Sequence, residues 1–169
     1  MRTFAFALIA IAAPALACAA APSQPAVWSA EAPKDAPTVL SFIDPGTGKM
    51  TLRLTCARGT GQVVAEYALT GRKADHQDAG VWIDAAGVKA PWPGTVVFAS
   101  GGLSANLRGL TQADAATGAS VAVAEISTGA PVMGAFAKTG QISLSAQGET
   151  LAPPPAPANV LRKFLGPCR

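Results

Sequence analysis

DPGTGKMTLRLTC, residues 44–56, decides how this chain is read. Its first half holds Gly46-Thr47-Gly48-Lys49, which invites a phosphate-binding loop. Its second half alternates: Met50, Leu52, Leu54 and Cys56 against Thr51, Arg53 and Thr55. A P-loop needs G-x-x-x-x-G-K-[ST], so that backbone N–H groups cradle phosphate and a hydroxyl holds magnesium. Counting back from Gly48, the first glycine position holds Ile43, and Met50 stands where the hydroxyl belongs. No long helix follows to aim its N-terminus at phosphates. A period of two instead predicts a strand with one buried face, with Cys56 on that face. Asp44-Pro45-Gly46 is turn chemistry, because proline presets φ and glycine accepts positive φ. The stretch is therefore a hairpin turn feeding a strand.

Outward from this hairpin the chain stays β-rich. TVLSFI (38–43) precedes it and QVVAEYAL (62–69) follows. Further strands are predicted at 81–83, 95–99, 120–126 and 141–146, and ASGGLSANLRG (99–109) reads as a turn into a glycine-interrupted strand. KADHQDAG reads as a solvated turn and ADAATGA (113–119) as a loop. Two stretches change period. Pro131 suits a first helical position, Val132, Met133 and Phe136 recur at helical spacing, and Gly140 can end the run; this predicts a short helix near 131–138. Val160, Leu161, Phe164 and Leu165 form one face of a helix near 158–165, stopped by Gly166-Pro167. The expected fold class is α+β: antiparallel, sandwich-like strands with two short helices.

The N-terminus is different in kind. MRTFAFALIAIAAPALACAAAP carries Arg2, a short apolar run and the small-residue pattern Ala15-Leu16-Ala17. This reads as a secretory signal peptide at 1–17, cleaved between 17 and 20, because the apolar run is shorter than the roughly 20 residues a spanning helix needs. Cys18 follows directly, so lipidation there is the alternative to simple cleavage. Residues 18–37, rich in Pro and Ala, read as an extended leader, with Trp28 able to dock back onto the core. A single β-rich domain at 38–169 remains.

The chain has three cysteines. With Cys18 assigned to processing, Cys56 and Cys168 form an even pair in an exported domain, and an oxidising compartment favours joining them. Such a bridge would pin the last helix to the strand that carries Cys56.

The block STGAPVMGAFAKTGQISLSAQ…VLRKFLGPC, taken with MTLRLTC, resembles small exported proteins of Gram-negative bacteria that pair a strand cysteine with a closing helix ending Phe-Leu-x-x-Cys. A similar layout occurs in some envelope accessory proteins of type VI secretion. The matching residues are Leu52, Leu54, Cys56, Phe164, Leu165 and Cys168. They cover about half the domain and imply a scaffold; they carry no catalytic residue across.

Composition narrows the function. The net charge of +3 is scattered, with no basic cluster beyond Arg162-Lys163, which argues against nucleic acid as partner. His76 is the only histidine. With Asp75 and Asp78 it is a weak candidate for a metal, and it is the one base available to a hydrolase. There is no Gly-x-Ser-x-Gly elbow. Glu66, Asp84, Glu125 and Glu149 fall in or beside strands, where alternate positions face water. Trp82 and Trp92 are the candidate binding surface. No cofactor is expected. The sequence thus predicts a non-catalytic periplasmic or envelope-associated accessory protein that binds an envelope or secreted protein. The alternatives are a structural lipoprotein tethered through Cys18 and a metal-dependent or His76-based hydrolase.

Overall fold

The computed structural model describes residues 27–169. The signal segment, Cys18 and the first part of the leader lie outside the described residues. The element order is β1 (Val27–Glu31), β2 (Thr38–Ile43), β3 (Met50–Cys56), β4 (Gln62–Ala68), β5 (Ala74–Asp78), β6 (Val81–Asp84), β7 (Trp92–Ser100), β8 (Leu103–Ala113), β9 (Ser120–Ser127), α1 (Pro131–Thr139), β10 (Ser143–Ala146), β11 (Glu149–Leu151) and α2 (Ala158–Leu165). Nine strands make one antiparallel sheet, ordered β1-β2-β3-β4-β9-β8-β7-β10-β11, while β5 and β6 pair separately.

The sheet is curled rather than flat. Its two edge strands stand at opposite ends of the strand order, yet they come together. Trp28 on β1 donates its Nε1–H to Pro154 O, just past β11, at 2.8 Å. Glu149 on β11 accepts from the backbone N–H groups of Thr70 and Gly71, just past β4, at 2.7 Å each. Sheet twist has a fixed hand, and over many strands it accumulates into such curvature. The inner positions follow from period two: Leu40 and Phe42, Leu52 and Leu54, Val63, Ala65 and Tyr67, Val96 and Phe98 are all buried in one continuous core. Both helices pack into that core, α1 through Val132, Met133 and Phe136, α2 through Leu161, Phe164 and Leu165. Phe98 and Phe136 meet edge to face, with centroids 6.3 Å apart.

Cys56 and Cys168 form the disulfide, with Cα atoms 5.8 Å apart across 112 residues of sequence. The C-terminus is fastened there by more than sulfur. Gly61 N–H donates to Cys168 O at 2.9 Å and Gly59 N–H to Pro167 O at 3.0 Å. Buried Thr38 donates its hydroxyl to Phe164 O at 3.2 Å, satisfying a carbonyl in the last turn of α2.

The opening hairpin is a turn, as its residues dictate. Asp44 Oδ1 accepts from Gly46 N–H at 3.0 Å, Oδ2 from the Thr47 hydroxyl at 2.9 Å, and Asp44 O from Gly48 N–H at 2.8 Å. Gly48 has φ of 67°. The same device recurs between β8 and β9. Asp114 accepts from Thr117 N–H at 2.8 Å and from its hydroxyl at 2.7 Å, and Gly118 has φ of 68°. These bonds hold the Asp114 carboxyl below its usual range, the Thr117 hydroxyl contributing most. D-x-x-T-G is thus a repeated hairpin turn of this chain, and its first copy is the apparent P-loop.

Three elements depart from the expected pattern, and one of them is the short edge strand β11, Glu149–Leu151, where the sequence predicts no strand. Val27–Glu31, read as leader, is the edge strand β1. Its Trp28 docks on Phe42, with centroids 5.1 Å apart. KADHQDAG is not a turn. Ala74–Asp78 is a strand that reverses through Ala79 and Gly80, both at positive φ, into β6. Two central residues at positive φ fit the twist of a two-residue hairpin. The strand was hidden because only Ala74 of its five residues is buried.

Candidate binding surfaces

Two concave surfaces stand out, and each comes from the way the sheet is finished. The first lies where the separate β5–β6 hairpin meets the end of β8. Trp82 holds this junction together. Its Nε1–H donates to Ala115 O at 3.3 Å, and the Arg72 guanidinium lies 4.9 Å from its ring. A side chain at Gly118 would strike the indole edge. Trp82, Val81, Pro91 and Ala113 line a shallow groove of about 330 Å³. Val81, at the start of β6, and Val88, in the loop after it, lie exposed. Trp92, expected to share this surface, is buried at 2% exposure. Its Nε1–H donates to Val88 O at 3.0 Å, and the Lys73 ammonium covers its ring at 5.6 Å. An indole with its N–H satisfied and one face under a cation has nothing left to present to a partner, so the expected pair reduces to Trp82 and two valines.

The second surface is the seam of the curled sheet. Phe42, Tyr67, Ala68, Leu151 and Pro153 line a cleft of about 450 Å³ between the ends of β2–β4 and the strap after β11. That strap, 152–157, buries Pro153 and Ala156 and exposes the residues between them, the three-residue period of polyproline II. The Tyr67 hydroxyl reaches Ala146 O and Glu149 O, each at 3.5 Å. Burial, assisted by the Glu149 charge, pushes its pKa up to about 12, so the phenol stays neutral.

Glu149 is the residue whose role the sequence missed. Its carboxylate accepts from the Thr70 hydroxyl at 2.6 Å as well as from the two backbone donors, and clasps the seam shut. These bonds, the Thr70 hydroxyl first, hold its pKa below the ordinary glutamate value of 4.5. A carboxylate stabilised in the folded state contributes fully above its unfolded pKa, and the contribution is lost as pH falls through the lower folded value. Hydrogen exchange at the Thr70 and Gly71 amides should therefore stay protected at pH 5–7 and lose protection only on acidification below the ordinary glutamate range. Glu149→Gln should remove this pH dependence while global unfolding stays cooperative. Unchanged protection in the variant would dismiss the clasp.

The other candidates are dispersed. His76 Nδ1 lies 3.0 Å from Asp75 Oδ2, both more than half exposed on β5. Among the described residues no three His, Cys, Asp or Glu side chains converge, so Asp78 adds no third donor to that pair. Glu66 lies 4.0 Å from Arg53 across β3–β4. Asp84 is spent on its own turn, accepting from Val88 N–H at 2.8 Å and Ala86 N–H at 3.0 Å. Among the described residues no helix is long and apolar enough to cross a membrane.

Comparison of the chain with family models, curated proteins and solved structures finds no match.

Proposed function

We propose that this chain is an exported accessory protein of the cell envelope, acting by protein contact and without catalysis. The observation that carries the reading is the β5–β6 hairpin. It belongs to a sheet of its own, it presents Val81 at the Trp82 groove, and the loop that follows it exposes Val88. An appended, rigidly pinned element with exposed apolar side chains is the anatomy of a contact surface. The disulfide supports an oxidising compartment. The N-terminal Arg2, apolar run and Ala15-Leu16-Ala17 support export, and the resemblance to small exported proteins agrees. Cys18 would carry the acyl chains of a tethered form.

A photo-crosslinking amino acid at Val81 or Val88 tests the reading in envelope fractions of the native host. A discrete adduct is expected from both positions, and none from Leu103, a comparably exposed leucine at the start of β8. Val81→Asp should abolish the adduct formed from position 88 without changing thermal stability by more than about 0.5 kcal/mol. Adducts of equal yield at all three positions, or at none, would end the proposal.

A further inference from the structure

The seam cleft has a chemistry independent of the hairpin. Its volume, about 450 Å³, falls within the range of small-molecule sites, and most of its lining is apolar or aromatic. Two aromatic rings, Phe42 and Tyr67, contribute to the wall, and Trp28 backs Phe42 from outside. The charged residues lining it are Asp44 and Glu149; none of the described lining residues is Lys, Arg or His. Both carboxylates are held in place by the fold. An ionised carboxylate offers about four acceptor sites. Glu149 uses three of them on Thr70 and Gly71, and Asp44 uses two on Gly46 and Thr47. Acceptor capacity and negative charge therefore remain at an apolar cleft, with no cation on its walls to neutralise them.

We propose that this cleft binds a small organic cation, an ammonium group carried on an apolar or aromatic body. The body fills the space between Phe42, Tyr67 and Leu151, and the ammonium lies toward Asp44 and Glu149. Anions of the same shape are disfavoured, because they would meet two carboxylates held in place by the fold and no cation on the walls.

Three probes that differ only in their head group test this: 4-phenylbutylamine, 4-phenylbutanol and 4-phenylbutanoate. Each is titrated at pH 7 into the oxidised, isotope-labelled protein and followed by amide NMR. The amine should saturate, moving the amides of Ala68, Leu151 and Ala152. It should bind about tenfold or more tightly than the carboxylate, with the alcohol between them. Asp44→Asn keeps a side-chain acceptor for the turn; it should weaken the amine about threefold and leave the alcohol unchanged. Ala68→Trp, at an exposed rim position, should block all three probes. No saturation by the amine, shifts confined to other surfaces, a carboxylate that binds as tightly as the amine, or an amine indifferent to Asp44→Asn would each overturn the proposal.

Discussion

Removing the Cys56–Cys168 bridge, by reduction or by the double replacement Cys56→Ala and Cys168→Ala, is expected to lower stability by about 2–5 kcal/mol. The bridge closes a long loop, its cysteines 112 residues apart in sequence, and long loops lose the most entropy when cross-linked in the unfolded state. Both sulfurs are buried, Cys56 on the inner face of β3 and Cys168 just past α2. In a domain near this size each kcal/mol moves Tm by roughly 2–4 °C, so a fall of about 10 °C is expected. Reduction isolates the cross-link, while the double variant also removes two buried sulfur atoms and should be destabilised at least as much. Calorimetry with and without reductant makes the measurement. A change under about 2 °C would mean that the contacts of Gly59, Gly61 and Thr38 hold the C-terminus without the bridge.

The second large effect separates two glycines of one helix. Gly140 ends α1 with φ of 71°, and its N–H donates to Phe136 O at 2.9 Å. A Cβ there would run into the backbone of Ala156 on the strap, whose N–H donates to Gly140 O at 2.8 Å. Gly140→Ala should therefore destabilise by about 2–5 kcal/mol, the sum of a left-handed conformation and an overpacked contact. Gly134 sits in the helix interior, and a Cβ there meets open space. Gly134→Ala should stabilise by about 0.5–1 kcal/mol, the difference in helix propensity. Chemical denaturation of the two variants gives opposite signs if the strap is packed as described. A mild effect at Gly140 would mean that the strap is free to move away from α1.

Much of the fold was legible because local physics speaks through periodicity. The alternation at 50–56 names the inner face of β3, and every alternate residue from Leu52 onward is buried there. Helix α2 runs over the residues expected, since Leu161, Phe164 and Leu165 share one face and Pro157 and Gly166 bracket it. The silent elements lacked a burial pattern. β5 pairs through exposed polar residues, and β11 is only three residues long. β1 hid behind its Pro-rich surroundings, although Trp28 announced an anchor.

The candidate sites were legible only in part. Trp82 and Trp92 look alike in sequence, ten residues apart. Trp92 opens β7 of the main sheet and is buried there under Lys73, and that is a tertiary event. Glu149 read as an exposed strand carboxylate, and nothing near it in sequence announces Thr70 and Gly71 as its partners.

The sequence alone determined most of the strands, the two helices, the opening hairpin turn and the pairing of two cysteines, because each depends on neighbours within a few residues or on simple parity. The tertiary structure decided where the sheet ends meet. Curvature accumulates strand by strand, and no single strand carries it. Pairing of β2, β3 and β4 sets Phe42 near Tyr67, and only that closure brings Glu149 to them around a cleft that none of their local sequences describes.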